Sequence, residues 1–468
     1  MPVNSFENYP MSWKPNLVKA DVPIYKELAN LLEEDITKGK LLPGTKLPPQ
    51  RELADYLDIN LSTVSRAFKL CEQNGLICAS VGNGTYVASD AGSNHIIRIN
   101  ADSMQIIEMG AILPGVSQNQ SMIGSMQKLL NEPEVEKLFQ YGSTDYTMSQ
   151  KEAAVRWMKA ANINVSSEDI LFSSGGQNAI TAILSSLFKS GDRIGTDPLT
   201  YPGIKTVAKM LGIQLVPVES RYSEMTEEGL ISACKNDKIK GIYIIPDFHN
   251  PTTHVMSINT REMIGRIANQ YQLIVIEDAI NSLLVEKPLP PVSAFAPKNS
   301  IYILSLSKVI SPGLRLAYIA APKHLKNELS TALYNLNITV SPFLLEVSSR
   351  LIFSGKANRI ARERRSDTVI RNNMMEMELK DYVVKGQKEC PFRWLQLPHT
   401  FTGKSFEICA KNEGVQVFSD ERFLVGSTPP RGWIRISVTA TRTIEEFKRG
   451  VKIIKRILES EIETGQLL

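Results

Sequence analysis

The chain has 468 residues, 43% of them hydrophobic and 22% charged, and at roughly 100–200 residues per domain that length predicts two to four domains. This much apolar residue offsets chain entropy and excludes disorder for most of the chain, and no internal repeat or low-complexity tract interrupts it. Lys and Arg number 53 against 49 Asp and Glu, and the resulting net charge of +4 is too small to announce nucleic acid or an anionic membrane.

The first residues, MPVNSFENYPMSWK, lack a charged segment leading into an apolar one, and no later window approaches the roughly 18 apolar residues of a membrane span, so secretion and membrane association are not expected. Ile24, Leu28, Leu31, Leu32 and Ile36 share one face at helical spacing ahead of Gly39, which predicts an amphipathic helix. The Pro- and Gly-containing stretch 42–49 cannot continue it, and Pro49 suits the first turn of a second helix over 50–57. Asn60 or Ser62 can cap a third helix, whose apolar face is Val64, Ala67, Phe68 and Cys71. Residues 76–80 and 85–87, joined through Gly82-Asn83-Gly84, read as a β-hairpin. The polar run 88–102 reads as a linker.

From about Ile107 the texture changes. Long helical patterns alternate with short apolar runs at 170–172, 193–195, 215–218, 241–245, 273–276 and 301–304, the pattern of a doubly wound α/β sheet with parallel strands. From about Pro391, strand-like pieces at 406–409 and 433–438 alternate with helices and predict a smaller α+β lobe. The cysteines (Cys71, Cys78, Cys234, Cys390, Cys409) are odd in number and scattered, with no metal-ligand spacing, so no metal is expected and they read as reduced, mostly buried thiols of a cytoplasmic protein.

Helix, short turn and a second helix opening with Leu61-Ser62-Thr63-Val64-Ser65-Arg66 fit a helix-turn-helix, in which small polar and basic side chains reach bases and phosphates, with the hairpin as a wing. In PIYKELANLLEEDI, GTKLPPQRELADYL, STVSRAFKLCEQNGLI and GNGTYV the segment resembles the GntR family of winged-helix regulators. The resemblance implies double-stranded DNA as partner, with Lys46, Arg51, Ser62, Thr63 and Arg66 as contacts and Gly82 and Gly84 in the wing turn. Residues 21–90 hold seven basic and ten acidic side chains, a net of −3, so contact has to come from a few cations on one face and from pairing two units.

In Leu304-Ser305-Leu306-Ser307-Lys308, followed by Arg315, a lysine flanked by serines ends a buried strand. That suits pyridoxal 5′-phosphate: the Lys308 amine forms a Schiff base, while Ser305, Ser307 and Arg315 neutralise the phosphate. Other parts come upstream in order: Gly176 and Gln177 in a Ser/Gly turn opening a helix, Tyr201 for the ring face, Asn250 for the phenolic oxygen, and Asp278 for the ring nitrogen. Together they resemble the fold type I aminotransferases. The resemblance implies that Arg435 clamps an α-carboxylate and that Tyr141 reaches the phosphate of a partner subunit. Two departures stand out: Ile280 replaces a tyrosine common two residues after the aspartate, and Ala317 replaces a glycine.

The whole chain resembles the MocR subfamily of GntR regulators. That implies a segment at 1–20, a winged helix at 21–88, a linker at 89–106 and an aminotransferase-like domain at 107–468, its small lobe largely 345–468. It further implies a homodimeric, DNA-binding transcription regulator that senses an amino acid, amine or B6 vitamer by aldimine exchange at Lys308. The alternative is a PLP-dependent aminotransferase with an appended regulatory domain.

Overall fold

The computed structural model describes residues 11–17, 22–38, 40–80, 84–88, 91, 106–116, 118–142 and 145–465. At the N-terminus α1 (Ile24–Thr37) packs on α3 (Leu61–Gln73) by burying Leu28, Leu32 and Ile36. Ile24, expected on that stripe, heads the helix and stays 49% exposed, because the buried stretch starts a turn later. Helix α2 (Gln50–Tyr56) follows Pro49 and buries Leu53 and Ala54. Asn60 supplies the cap of α3, its Oδ1 accepting from the Ser62 N–H at 2.9 Å. The Ser65 hydroxyl donates to Gln50 Oε1 at 2.7 Å and ties α3 to the start of α2. Strands β1 (Ile77–Ser80) and β2 (Gly84–Val87) pair antiparallel with Ile77 opposite Val87, completing the winged helix. Gly84, at φ +104°, opens β2, while Gly82 lies outside the described residues.

Residues 11–17 also dock on this unit, which the sequence pattern did not signal. Trp13 is 4% exposed within the winged-helix core, and its indole N–H donates to Asp35 Oδ2 at 3.0 Å.

The larger part of the chain enters through β3 (Ile107–Glu108), α4 (Asn119–Leu130) and α5 (Met148–Ala160). It then builds a seven-stranded sheet. Three strands and two helices alternate first: β4 (Ile170–Ser173), α6 (Gly176–Leu187), β5 (Arg193–Thr196), α7 (Pro202–Leu211) and β6 (Gln214–Pro217). A small hairpin, β7 (Ser220–Arg221) with β8 (Glu224–Met225), and the short α8 (Glu227–Ser232) precede β9 (Gly241–Ile244), α9 (Ile258–Tyr271) and β10 (Ile274–Asp278). Strands β11 (Ser300–Ser305) and β12 (Ala317–Ala320) complete the sheet, in the spatial order β4-β12-β11-β10-β9-β5-β6. Alternate residues feed two cores. Phe172, Tyr302, Leu304 and Tyr318 face α5, whereas Leu171, Ile301, Ile303 and Ile319 face α6, so both faces are dry.

The sheet departs from the all-parallel expectation in one strand. β12 runs antiparallel to β11 and β4, because the stretch from Ser305 to Ala317 holds only a turn and a short helix at Pro312–Leu314. A parallel crossover needs a longer connection than that.

Helices α10 (Lys323–Asn337), α11 (Pro342–Phe353) and the 23-residue α12 (Lys356–Glu378) lead to a four-stranded antiparallel sheet. It holds β13 (Val384–Lys385), β14 (Phe392–Gln396), β16 (Phe418–Ser419) and β17 (Trp433–Ser437). Between them lie α13 (Gly403–Asn412) and β15 (Val415–Gln416), and α14 (Ile444–Gly465) closes the chain. The piece at 406–409, expected as a strand, belongs to α13: a capping box of Thr402 and Ser405 starts a helix there, and Phe406 and Ala410, four apart, are buried while Ile408 is exposed.

Replacing Trp13 with Ala should lower the melting transition of the winged-helix unit by on the order of 2 kcal/mol, less than the usual core tryptophan because a terminal segment can detach as a whole. Calorimetry on the full chain checks this; an unchanged first transition would show that residues 11–17 do not hold the unit together.

Candidate functional site

All the cofactor residues named above except Tyr141 and Arg435 lie at or just beyond the ends of strands of the large sheet. Strand β4 ends at Ser173, and Gly175 at φ +94° turns the chain into α6, whose first N–H groups have no partner within the helix. A Cβ on Gly175 would stand 2.8 Å from the Arg315 guanidinium, so the glycine admits that side chain beside the helix start. Arg315 Nη2 donates to Ser174 O at 3.1 Å. Ser305 Oγ, at the end of β11, donates to Ser307 Oγ at 3.1 Å and accepts from the Ser307 N–H at 3.2 Å. Gly176 faces Ser305, at 3.7 Å from an added Cβ. This corner gathers hydroxyls, helix N–H groups and a guanidinium, the chemistry of a phosphate cradle.

Gln177 turns its side chain to Tyr201, accepting from the phenol at 3.1 Å and donating to Gly203 O at 2.9 Å. Burial and the nearby Asp278 charge push the Tyr201 phenol up to about 12, so it stays neutral.

Asp278 ends β10 and is buried. Tyr243, in the middle of β9, donates to its Oδ2 at 2.7 Å, while Oδ1 has no hydrogen-bond partner among the described residues. Burial raises its pKa to about 6, with Tyr243 opposing, so the carboxylate is mostly ionised at neutral pH. Lys308 donates to Ile112 O. Burial, then repulsion from Arg435 and Arg315, pulls its amine down to about 8, which leaves a substantial neutral, nucleophilic fraction near physiological pH.

Arg435 comes from the other sheet. It is 1% exposed, in a cage of the Phe423, Phe418 and Phe392 rings at 4.8, 5.4 and 5.7 Å from its guanidinium carbon. It donates to Asn250 Oδ1 and to Gly110 O at 2.6 Å, and its Nε–H has no partner among the described residues. Burial lowers its pKa to about 9, so it remains a cation at neutral pH without a carboxylate in hydrogen-bond range. Strand order thus brings Gly176, Ser305, Lys308, Asp278, Asn250 and Arg435 to one pocket. Tyr141 is not part of it: its ring is 86% exposed on the surface.

On the winged helix, Lys46, Arg51, Ser62 and Arg66 are exposed and Thr63 is half-buried. Neither Arg51 nor Arg66 meets a carboxylate among the described residues, whereas the acidic side of α1 is partly neutralised by Lys38–Glu34 and by Lys40–Asp35 at 2.8 Å. Lys46 pairs backbone to backbone with Tyr86 of the wing and reaches over its ring at 5.8 Å.

Residues 24–87 match the family of bacterial regulatory proteins of the gntR type, and residues 114–454 match aminotransferase class I and II. The uncharacterised HTH-type transcriptional regulator YdeF of Bacillus subtilis is 50% identical over 98% of this chain and 99% of its own. The chain belongs to the GntR regulators of MocR architecture. NorG of Staphylococcus aureus, an HTH-type transcriptional regulator, is 25% identical over 61% of this chain and 70% of its own. Solved aminotransferases share the fold: an archaeal alanine:glyoxylate aminotransferase superposes with TM-score 0.70 at 20% identity over 76% of this chain and 92% of its own. LysN of Thermus thermophilus gives 0.69 at 21% over 77% and 94%.

The aminotransferase domain of this MocR-type chain implies pyridoxal phosphate as cofactor. The pocket fits it: an ionised Asp278 with one oxygen unanswered suits a protonated ring nitrogen, and the α6 corner suits a phosphate. Pyridoxal phosphate supplies an aldehyde for amines and a ring that accepts electron density. Residues not singled out from sequence also face this MocR pocket: Tyr243, Gly110, Ile112 and Arg364. Tyr243 had a signal, since a phenol inside the apolar run 241–245 has to find a buried partner; carbonyls carry no sequence signal at all.

Attachment of pyridoxal phosphate to the apoprotein needs a neutral lysine. Its rate, followed by visible absorbance, should rise with pH to about 8 and then level off, where an ordinary lysine would continue towards 10.5. A rate still climbing above about pH 10 contradicts the low amine pKa.

Proposed function

We propose that this MocR-type regulator reads an amine-bearing effector (an amino acid, an amine or a B6 vitamer) at the pyridoxal phosphate pocket and changes its hold on DNA in response. Lys308 carries the cofactor and gives it up to the effector amine. Gly176, Gln177 through its backbone, Ser305, Ser307 and Arg315 hold the phosphate, Tyr201 lies against the ring, and Asp278 keeps the ring nitrogen protonated. Asn250, whose Oδ1 accepts from Arg435, keeps its Nδ2 donors for the phenolic oxygen. Arg435 takes a carboxylate. The observation that carries this reading is Arg435 itself, a buried cation that, among the described residues, has no carboxylate in salt-bridge range and one N–H without an acceptor, in a chain that also bears a helix-turn-helix.

On the winged helix, Arg66, Ser62 and Thr63 enter the groove while Lys46 and Arg51 meet phosphates, with Gly84 shaping the wing. Two such units are brought together in a homodimer acting in the cytoplasm. The apolar side chains left outside between 116 and 148 support a second copy: Val116, Leu130, Phe139 and Met148 are exposed, along with Tyr141, which would reach the partner's phosphate.

Lys308→Ala should abolish the visible absorbance of the bound cofactor; a surviving yellow species would mean another lysine holds it. Arg66→Ala should weaken binding to a duplex selected with the wild-type protein about tenfold or more and leave that absorbance unchanged. Titrating the loaded protein with amino acids and amines tests the central claim: an absorbance change without sustained product supports a sensor. Multiple turnover at about 1 s⁻¹ or faster would make it an aminotransferase instead.

A further inference from the structure

The stretch from Ile106 to Val116 spans the pocket, with Gly110 O and Ile112 O beside Arg435 and Lys308. Its two ends are held by different parts of the molecule. At the first end β3 pairs in parallel with β15, Ile107 beside Val415, and Met109 O accepts from the Ser437 N–H at 2.6 Å. That end therefore lies with the sheet that carries Arg435. At the other end Arg364 of α12 donates to Gly115 O at 2.7 Å and to Gln118 Oε1 at 3.3 Å. The same guanidinium donates to Val309 O at 2.8 Å and to Ile310 O, the two residues that follow Lys308.

Between the anchors, the carbonyls of this strap accept from the groups that a ligand would need. Gly110 O accepts from Arg435 at 2.6 Å, Ile112 O from Lys308, and Leu113 O from the Thr439 hydroxyl at 2.7 Å. Arg364 is 5% exposed and has no carboxylate in salt-bridge range among the described residues; Asp367, on the next turn, pairs with Arg371 at 2.9 Å. A buried guanidinium answered by three backbone carbonyls from two separate stretches is there to fix geometry, a task its planar fork suits.

We infer that Arg364 is a positioning residue for Lys308, and that the 106–116 strap it anchors carries the state of the pocket towards the DNA-reading unit. This rests on Lys308 being the cofactor lysine. When Lys308 turns to the cofactor and Arg435 to a carboxylate, Ile112 O and Gly110 O lose their donors. The Gly115 end stays clamped by Arg364 beside Lys308, while the β3 end is tied to β15 and, through Ser437, to the strand of Arg435, so the adjustment is shared between that sheet and the chain entering at β3. Both ligand groups and the strap compete for the same two cations, which gives the pocket and the strap a shared, reciprocal equilibrium.

The test uses the full-length chain and pyridoxal phosphate as probe. In the apoprotein, hydrogen–deuterium exchange across 106–116 should be about fivefold or more faster in Arg364→Gln and about twofold faster in the milder Thr439→Val. With cofactor added, the pH midpoint of the visible band should move by about 0.5 or more in Arg364→Gln and return towards wild type in Arg364→Lys. A lower melting temperature with both readouts unmoved would make Arg364 merely structural and overturn the inference. Wild type should bind a selected duplex with an affinity that changes about threefold or more on adding pyridoxal phosphate, and Arg364→Gln should lose most of that response. An unresponsive wild type, or a response that Arg364→Gln keeps in full, overturns the role of the strap. Absence of any visible band in wild type would instead overturn the Lys308 reading, and apoprotein exchange would still decide on Arg364.

Discussion

Asp278, Lys308 and Arg435 share one water-poor pocket, and no ion pair joins any two of them. Burying an unpaired charge is costly, and each of the three shows it as a pKa pulled towards the neutral form. The surroundings offset part of that cost with hydrogen bonds rather than countercharges: Tyr243 donates to Asp278, Lys308 donates to Ile112 O, and Arg435 donates to Asn250 Oδ1 and to Gly110 O. The rest of the fold serves to hold these three unsatisfied groups in place, through a sheet dry on both faces and a phenylalanine cage around the guanidinium.

The departure at Ile280 reads differently in three dimensions. The chain lacks a tyrosine two residues after Asp278, yet Tyr243 from the neighbouring strand β9 meets the same carboxylate. Its phenol is committed to Asp278 and fixes the orientation of that carboxylate. Ala317, in place of a glycine, is accommodated because it pairs in β12 between Ser305 and Ser173, with its carbonyl accepting from the Ser173 hydroxyl at 3.3 Å.

Electrostatics of the winged helix follow the same local logic. Its net charge of −3 would oppose a polyanion if charge were spread evenly. Glu34 and Asp35 of α1 are instead paired within the unit, and Arg51 and Arg66 carry no carboxylate partner among the described residues. Over the Debye length of about 8 Å at physiological salt, the arrangement of nearby cations outweighs the whole-unit sum. This is why composition alone did not announce nucleic acid while the helix-turn-helix pattern pointed towards it.

Much of the molecule was legible in the residues alone. Periodicity of 3.6 and a cap at Asn60 or Ser62 placed three helices, a glycine-rich turn between short apolar runs placed the hairpin, and Gly176, Asn250, Asp278 and Lys308 were read after successive apolar runs, where strand ends of an open sheet converge. Local rules also misled, as at 406–409, where a short apolar run could not distinguish a strand from a capped helix until Phe406 and Ala410 were seen to share one buried face. The antiparallel β12, the docking of Trp13, the Tyr243–Asp278 bond and the strap under Arg364 all join residues distant in sequence or act through backbone carbonyls. A carbonyl is the same atom in every residue, and which donor reaches it depends on how the elements pack. The sequence alone therefore determined the two units and the chemistry of their side chains; only the tertiary structure decided which of those side chains hold the chain that runs between them.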